Sequence, residues 1–505
     1  LNVQPIVPNR PLIWPDVIEA IRQIVRPSDD LYIVGGAVRD AYLHRCLHDI
    51  DLATPHDGRP IARRIADHFG GVYYSLDPQR GVGRAIIPFD REQLTIDAAQ
   101  FRGPDLTTDL LLRDFTINAM AVRLTGDLRE VIDPLGGLAD LNQRLLRECS
   151  AESLQSDPVR VLRAIRTSAN YRLHIEPATL SHIKQYGAHL DRVSIERVRD
   201  EFFQILDTQK PAAAIALQLH LGLLDHIVPE VAAMRAVEQG PPHQVDVLQH
   251  TLHTIDHLST GLSILRANHD DTLTGNMQFG LLSQSFKPYL SRLEEHIAHE
   301  WPNGRTHRAL LVLAALLHDA GKPQTRSVSD DGRVHFHQHE QIGAQIAEKR
   351  GEALRLSNDE VQRLTTIVKH HMRPHWLHGA QPLTARAVYR FWRDTGPAGI
   401  DICLLAPADL LATYGPTLDT PTWTGYLETV QALLDGYFVH HDTVVAPPPL
   451  LTGQHLIEHF GLQPGPQIGT LLEQVREAQV EGLVTTTQEA LEWIQRFLDT
   501  ATKNN

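Results

Sequence analysis

Cysteine is scarce in this chain. Cys46, Cys149 and Cys403 are the only three in 505 residues, and they lie far apart with no Cys-x-x-Cys pair. That excludes a disulfide-stapled secreted scaffold and a thiolate zinc knuckle. Long apolar runs are missing as well. The longest, Ala309 to Leu317, falls well short of the roughly 20 residues a spanning helix needs. No signal-peptide pattern opens the sequence, so a cytoplasmic protein without a membrane partner is expected. Positive charge is in the minority: 47 Lys and Arg against 61 Asp and Glu leave a net charge of −14. This is not the balance of a DNA-coating protein, so no DNA partner is expected and any nucleic-acid contact must come from a local basic patch. A Walker A loop is absent, since Gly321-Lys322 is followed by Pro323 and lacks the upstream glycine. There is no internal repeat and no low-complexity block.

What is present has room for about three domains and ample core without covalent staples. The front mixes helix and strand signals. Val17 to Val25 has an amphipathic helical pattern, while Leu31 to Val34, Asp49 to Ala53 and Gln93 to Ala98 carry alternating or branched apolar positions. From about Ser150 helical periodicity dominates. Pro241-Pro242 and Ala446-Pro447-Pro448-Pro449 interrupt it. The expected division is a head over 1–148, a helical neck over 149–240, a His-rich domain over 241–416 and a helical tail over 417–505. The fold class expected is α+β, a small mixed sheet followed by a mostly helical body.

Asp49 and Asp51 sit two apart in a strand pattern, so their side chains share a face. Asp97, in Leu94-Thr95-Ile96-Asp97, offers a third carboxylate from a neighbouring strand. Three convergent carboxylates suit a pair of Mg2+ ions serving an attacking hydroxyl and a leaving phosphate. An Asp-x-Asp pair alone is weak evidence. Here it follows Gly35-Gly36-Ala37-Val38-Arg39-Asp40, a glycine pair that ends a strand and opens a helix, where backbone amides can hold a triphosphate. Asp157 and Arg160 are spaced by one helical turn and pair an acceptor with a forked donor, enough to read one base edge. Arg163 and Arg166 follow on later turns as candidate phosphate ligands. Between Leu141 and Arg199 there are 10 Lys or Arg against 6 Asp or Glu, a local net charge of +4 that suits an RNA-facing surface.

These segments are together recognisable. Leu31 to Thr54 resembles the first motif of class II tRNA nucleotidyltransferases and bacterial poly(A) polymerases. Arg113-Asp114-Phe115-Thr116-Ile117-Asn118-Ala119-Met120 resembles their second motif, which senses the ribose. Asp133-Pro134-Leu135-Gly136-Gly137 with Asp140 looks like the hinge. Asp157 to Arg166 resembles the base-reading motif, and Ser194 to Glu201 the neck motif behind it. Leu450-Leu451-Thr452-Gly453 and Gly461 to Pro466 are similar to the family's tail. The resemblance implies a polymerase-β-like head with Asp49, Asp51 and Asp97 as catalytic Mg2+ ligands. It also implies a nucleotide site made of Gly35, Gly36, Arg39, Asp40, Arg113, Asp114, Asn118, Asp157, Arg160, Arg163 and Arg166. The reaction implied is template-independent transfer of C and/or A from CTP and ATP to the 3′ end of tRNA or another RNA, with poly(A) synthesis as the alternative. Three departures stand out. Ser156 occupies the place of a Glu, Leu112 that of an Arg, and only the ten residues Gly103 to Leu112 separate Arg102 from Arg113. In CCA-adding relatives that stretch is longer and forms a flexible loop implicated in switching from C to A, so partial addition, CC alone or A alone, remains open.

The chain carries 29 histidines. Leu317-His318-Asp319-Ala320-Gly321-Lys322 resembles the signature of HD phosphohydrolases, in which adjacent imidazole and carboxylate share a divalent metal. The resemblance implies an all-α HD domain and, as further ligands, His250, His339, His371 and Asp409. His337 and His370 are adjacent competitors. The expected arrangement groups His250, His318, Asp319, His371 and Asp409 in one cavity, with His339 completing a second position. Mn2+, Ni2+ or Mg2+ would fit, and phosphate-ester hydrolysis would follow. The long interval between His250 and His318 requires an insertion to be looped out.

Overall fold

The computed structural model describes residues 4–47, 49–90, 92–266 and 275–503. The chain forms two compact units: Leu1–Glu201 with His220–Leu223, and Phe202–Leu219 with Leu224–Asn505.

The first unit is built on a six-stranded sheet of β1 (Tyr32–Val34), β2 (Asp49–Thr54), β3 (Val72–Asp77), β4 (Val82–Phe89), β5 (Glu92–Gln100) and β6 (Ala121–Arg123). The strand order is β3-β4-β5-β2-β1-β6, with β2 and β5 parallel and the other neighbours antiparallel. Period-two alternation sorts the side chains. Ile50, Leu52, Ala85, Ile87, Leu94, Ile96 and Ala98 fall on one face and are buried. Helix Arg59–Phe69 packs against β3, β4 and β5 and buries Ile61, Ala62, Ile65 and Ala66. Gly83 permits this contact, because a Cβ there would lie 2.8 Å from the Cα of Arg59. Each fully buried Ile contributes about 2 kcal/mol of hydrophobic stabilisation. The opposite face receives Asp49, Asp51, Arg84 and Asp97. Four of the expected elements are present with shifted ends: helix Asp16–Ile24, β1, β2 and β5. The β3–β4 hairpin was not anticipated.

Among the described residues, the second unit is helical apart from one two-stranded hairpin, Arg326–Val328 with Val334–Phe336. Helices Val247–Ile264, His307–Leu317, His339–Ala353, Asn358–His370 and Ala398–Tyr414 surround its histidine cluster. Their starts are encoded locally. Asp246, Thr306 and Ser357 each cap a helix by accepting a backbone N–H, and Glu360 completes a capping box with Ser357. The stretch Ala398–Thr417 is long and apolar enough to cross a membrane, but 78% of its 18-residue apolar window is buried inside the protein, as a core helix must be. Part of the expected insertion, 267–274, lies outside the described residues; helices Met277–Phe286 and Leu290–Ala298 follow it. Helices Gly453–Phe460, Pro466–Val480 and Thr487–Lys503 enclose a small core of Leu456, Leu471, Val475 and Ile494.

Candidate active sites

In the first unit, β2 and β5 run parallel with Asp51 opposite Asp97 and Asp49 opposite Thr95. Adjacent strands lie about 4.8 Å apart, so the carboxylates of Asp49, Asp51 and Asp97 form one patch on the open face. Asp97 is held by Arg84, its cross-strand partner, through Nε–Oδ1 and Nη2–Oδ2 contacts of 2.8 Å each. Loss of solvent pushes the Asp51 carboxyl above its ordinary range; Asp97 and Asp49 add to this and Arg113 opposes it. A carboxylate of raised proton affinity with two more beside it marks a site short of positive charge, which suits divalent cations.

The backbone turns from β1 into helix Gly36–Leu43 at Gly35, whose φ is +75°. A Cβ at Gly35 would stand 3.0 Å from Arg113 Nη1 and 3.2 Å from Asp51 Oδ2, so glycine allows the cation and the carboxylate to meet over the turn. Beside it lies a cleft of about 240 Å³ lined by Gly35, Gly36, Asp51, Asp114, Asn118 and six arginines: Arg39, Arg102, Arg113, Arg160, Arg163 and Arg166. Such arginine density matches a polyphosphate. Arg113 is aimed by Asp109, whose Oδ2 accepts from its Nη2 at 3.0 Å, and Asp109 Oδ1 also accepts the Arg102 N–H. Burial alone would raise the Asp114 carboxyl. Arg163, the Asn118 amide and the Phe115 N–H together hold it below the usual range. Arg163 also donates to Glu201, whose other oxygen lies 2.9 Å from Arg166.

Asp157 and Arg160, expected to read the base from one helical face, are arranged differently. The helix starts at Arg160, because Asp157 has φ −144° and ψ 89° and stands in the turn before it. Arg160 Nε is 3.9 Å from Asp157 Oδ2, while Asp157 accepts from Arg197 at 2.8 Å. Arg160 donates to the carbonyls of Leu112, Arg113 and Ser153 at 3.2, 3.3 and 3.0 Å. Asp157 and Asp40 are not among the residues lining the cleft. Asp40 binds Arg39 instead. Gly103 to Leu112 is partly helical: Asp105 caps helix Leu106–Leu111 and Asp109 is buried. Asp109 and Arg84 went unread in the sequence, and Arg102 and Glu201 were read only as a loop boundary and the end of the neck motif, although Asp109 stands one helical turn before Arg113.

In the second unit, the six residues expected from the sequence as metal ligands converge. Asp319 is central. Its Oδ2 lies 3.5 Å from His250 Nε2 and 3.3 Å from His318 Nε2, and its Oδ1 lies 3.5 Å from His339 Nε2 and 3.9 Å from His371 Nε2. Asp409 Oδ1 stands 2.9 Å from His250 Nε2 and 3.6 Å from His318 Nε2. The donors therefore form two triads, His250–His318–Asp319 and Asp319–His339–His371, sharing one carboxylate. The expected grouping is corrected in one respect: His371 belongs with His339, on the other oxygen of Asp319.

Local chain geometry aims these rings. The Nδ1 atoms of His318, His339 and His371 lie 2.7, 2.9 and 2.7 Å from the carbonyls of Ala315, Phe336 and Val368, each three residues back. An Nδ1–H donated there leaves Nε2 as a free lone pair pointing inward, the usual arrangement of a metal-ligating imidazole. Gly321 brings the elements together, since a Cβ there would fall 2.1 Å from the His339 carbonyl oxygen. His318 Nε2, His250 Nε2 and Asp319 Oδ2 are buried, and their contacts with one another, with Asp409 and with Lys322 lack hydrogen-bond alignment, an arrangement that a cation would complete. Burial opposes charge on His318, yet Asp319 and Asp409 push its imidazole up to about 10, while burial with His318 and His339 drives His371 down to about 3. Despite burial, His318 and Lys322 hold Asp319 well below the carboxylate range. The cluster thus gathers positive charge where a divalent ion would supply it. The donor set fits divalent metal.

Lys322 Nζ lies 2.7 Å from Asp319 Oδ2 and donates to Gln239 at 2.6 Å. A cavity of about 580 Å³ opens beside the site, walled by Phe336, Trp376, Tyr414 and Tyr426 with His243, His335 and His337. His337 therefore lines the cavity, and His370 lines a separate groove.

Comparison with known proteins gives four family matches: "Poly A polymerase head domain" over 31–147, "RNA and SrmB-binding site of polymerase A" over 172–235, "HD domain" over 289–395 and "tRNA nucleotidyltransferase domain 2" over 421–494. An A-adding tRNA nucleotidyltransferase of Deinococcus radiodurans is 32% identical over 476 residues, covering 92% of this chain and 95% of the relative. A CC-adding tRNA nucleotidyltransferase of Geobacter sulfurreducens is 31% identical, covering 92% and 91%. Among solved structures, the Thermotoga maritima CCA-adding enzyme complexed with tRNA shares the fold at a TM-score of 0.56 and 20% identity, covering 96% of each chain.

Proposed function

The chain belongs to the class II tRNA nucleotidyltransferase family, and from that premise we propose that it adds part of the 3′-terminal CCA of tRNA, using one base type. The tRNA 3′-hydroxyl attacks the α-phosphate of CTP or ATP, and pyrophosphate leaves. Asp49, Asp51 and Asp97 would hold Mg2+, which when bound supplies Lewis-acid charge to the attacking and departing oxygens. The Gly35–Gly36 turn, Arg39, Arg113, Arg163 and Arg166 grip the triphosphate. Asp114 and Asn118 meet the ribose, and Arg160, which lines the cleft, meets the base, with Asp157 outside the cleft lining and held by Arg197. The observation that carries the transfer reading is the register of Asp51 beside Asp97 at the mouth of a six-arginine cleft. The limit to one base type rests on the segment before Arg113. It is a short helix pinned through Asp109, and its last carbonyl, with that of Arg113, binds the guanidinium of Arg160. A base reader fastened to a short, capped helix in this way is built for one shape, whereas accepting C and then A requires two.

The same reading divides the chain into head, neck, HD domain and tail at 148, 240 and 416; the four family matches each fall inside one of these spans. The test offers tRNAs ending at the discriminator base, at C or at CC, with CTP and ATP separately, and sequences the products. Addition confined to one nucleotide is expected. Complete CCA from a mixture of both nucleotides, or a long A tract, would overturn the restriction.

A second reading applies to the histidine cluster, because its two triads share Asp319 and open on an aromatic cavity. It would be an accessory phosphohydrolase loaded with Mn2+, Ni2+ or Mg2+, clearing a 2′,3′-cyclic or phosphorylated RNA end to regenerate the hydroxyl that the head requires. Hydrolysis of a 2′,3′-cyclic nucleotide, assayed with each ion, tests it.

A further inference from the structure

Tyr171 is the last residue of helix Arg160–Tyr171, whose earlier turns present Arg160, Arg163 and Arg166 to the nucleotide cleft. No motif contains it, yet it meets the glycine-turn helix at its most functional point. The Arg39 guanidinium carbon lies 4.0 Å from the centre of the Tyr171 ring, and that of Arg45 lies 4.4 Å from it. The Tyr171 hydroxyl accepts from Arg39 Nη2 and donates to Asp40 Oδ2 at 3.2 Å. Arg45 Nη2 also donates to the carbonyl of Asn170, next to the tyrosine.

A guanidinium has five N–H donors. On Arg39, Nε and Nη2 take the two oxygens of Asp40 at 3.0 and 2.8 Å, Nη2 also takes Tyr171, and Nη1 takes Asn118 Oδ1 at 2.6 Å. These bonds occupy four donors and leave one on Nη1. Arg39 is 9% exposed and its remaining surface lines the cleft, so the last donor is the one available to a phosphate. Bonds to Asp40 alone would let the side chain swing with its own helix. Asn118 ties Nη1 to the turn at 116–118, and Tyr171 ties Nη2 to another helix.

We propose that Tyr171 is a positioning residue for nucleotide binding. It holds Arg39 in its phosphate-facing orientation and fixes the far end of the arginine-bearing helix against the glycine turn. That helix is then fastened at both ends, at its start by Arg160 on the carbonyls of residues 112, 113 and 153, and at its end by Tyr171 on Arg39 and Asp40. Phosphate-facing and base-facing arginines keep one spacing because the tyrosine sets it. The inference rests on the head cleft being the nucleotide site.

The test uses full-length Tyr171→Phe and Tyr171→Leu in steady-state nucleotide addition to tRNA, with the thermal midpoint measured alongside. Tyr171→Phe keeps the ring and removes the hydroxyl, so the nucleotide KM is expected to rise about 10-fold, the factor carried by one hydrogen bond to a charged group, with kcat within about 2-fold. Tyr171→Leu removes the stacking too and is expected to raise KM further and to narrow the preference between CTP and ATP. Tyr171→Phe with unchanged KM, or with a loss confined to kcat or to the thermal midpoint, overturns the inference; this variant decides if Tyr171→Leu does not fold. Wild-type incorporation is the control. Its absence would fail the functional reading, whereas normal wild-type incorporation with indifferent Tyr171 variants fails this inference alone.

Discussion

Replacing Gly35 by alanine isolates the junction on which the head site depends. The residue has φ +75° and ψ −139°, a region essentially reserved for glycine. Holding alanine there costs about 1–3 kcal/mol, which for a unit of this size lowers the melting midpoint by several degrees. The new methyl group has a second effect. It would lie 3.0 Å from Arg113 Nη1 and 3.2 Å from Asp51 Oδ2, so the guanidinium, the carboxylate or the turn must give way. Displacing reacting groups by about 1 Å costs about 100-fold in rate. Gly70→Ala provides the comparison. Gly70 is also left-handed, at φ +65° and ψ 28°, but ends helix Arg59–Phe69 with nothing within 4 Å of its missing Cβ. It should lose about 1–2 kcal/mol of stability and keep its kcat/KM. Steady-state incorporation of labelled nucleotide and thermal melts of both variants make the measurement. Equal activity in Gly35→Ala and Gly70→Ala at equal loss of stability would refute the steric argument.

Asp319→Asn should remove bound divalent metal, measured by elemental analysis of the purified protein, and abolish any phosphohydrolase activity while nucleotide addition persists; retained metal would contradict a shared bridging carboxylate. His307 gives a pH prediction. Burial, then Arg363, depresses its imidazole to about 4, against the pull of Asp401, with His296 and His299 also facing it. The unfolded chain, with an imidazole near 6.5, binds the extra proton first, so this contribution is whole above about pH 6.5 and is lost as pH falls toward 4. The loss should be about 1–3 kcal/mol in urea titrations, and His307→Gln should flatten the slope between those limits. An unchanged slope would exclude His307 as its source.

Much of the head was legible because strands write themselves at period two. Asp49 and Asp51 alternate with Ile50 and Leu52, and that pattern already put the carboxylates on the face away from the core. The β3–β4 hairpin was illegible because Tyr74 and Leu76 are exposed while Gly83 and Ala85 are buried, reversing the expected size order so that helix Arg59–Phe69 can approach. In the histidine cluster, the HD resemblance named six residues that the structure brings together, but not their partition. Which oxygen of Asp319 each imidazole faces depends on the Gly321 contact and on helix starts such as Gln338 at φ +62°, which turns His339 inward and leaves His337 on the cavity wall. The base-reading pair fits its sequence spacing but not one helix, because Pro158 forbids helical geometry at the residue before it. Tyr171 carried no signal at all, since a lone tyrosine closing an amphipathic helix looks like packing.

The central claim is that the Asp49–Asp51–Asp97 face and its arginine cleft transfer nucleotides to an RNA 3′ end. It is tested most directly by incubating purified wild-type and Asp51→Ala proteins with tRNA lacking its 3′ terminus, Mg2+ and labelled CTP or ATP, and following incorporation. Asp51 packs against no hydrophobic core, so the variant should fold and melt like the wild type. Wild-type protein is expected to extend the tRNA by one or two nucleotides, and Asp51→Ala to extend none. Extension by Asp51→Ala at the wild-type rate, or none by wild-type protein with either nucleotide, would contradict the account.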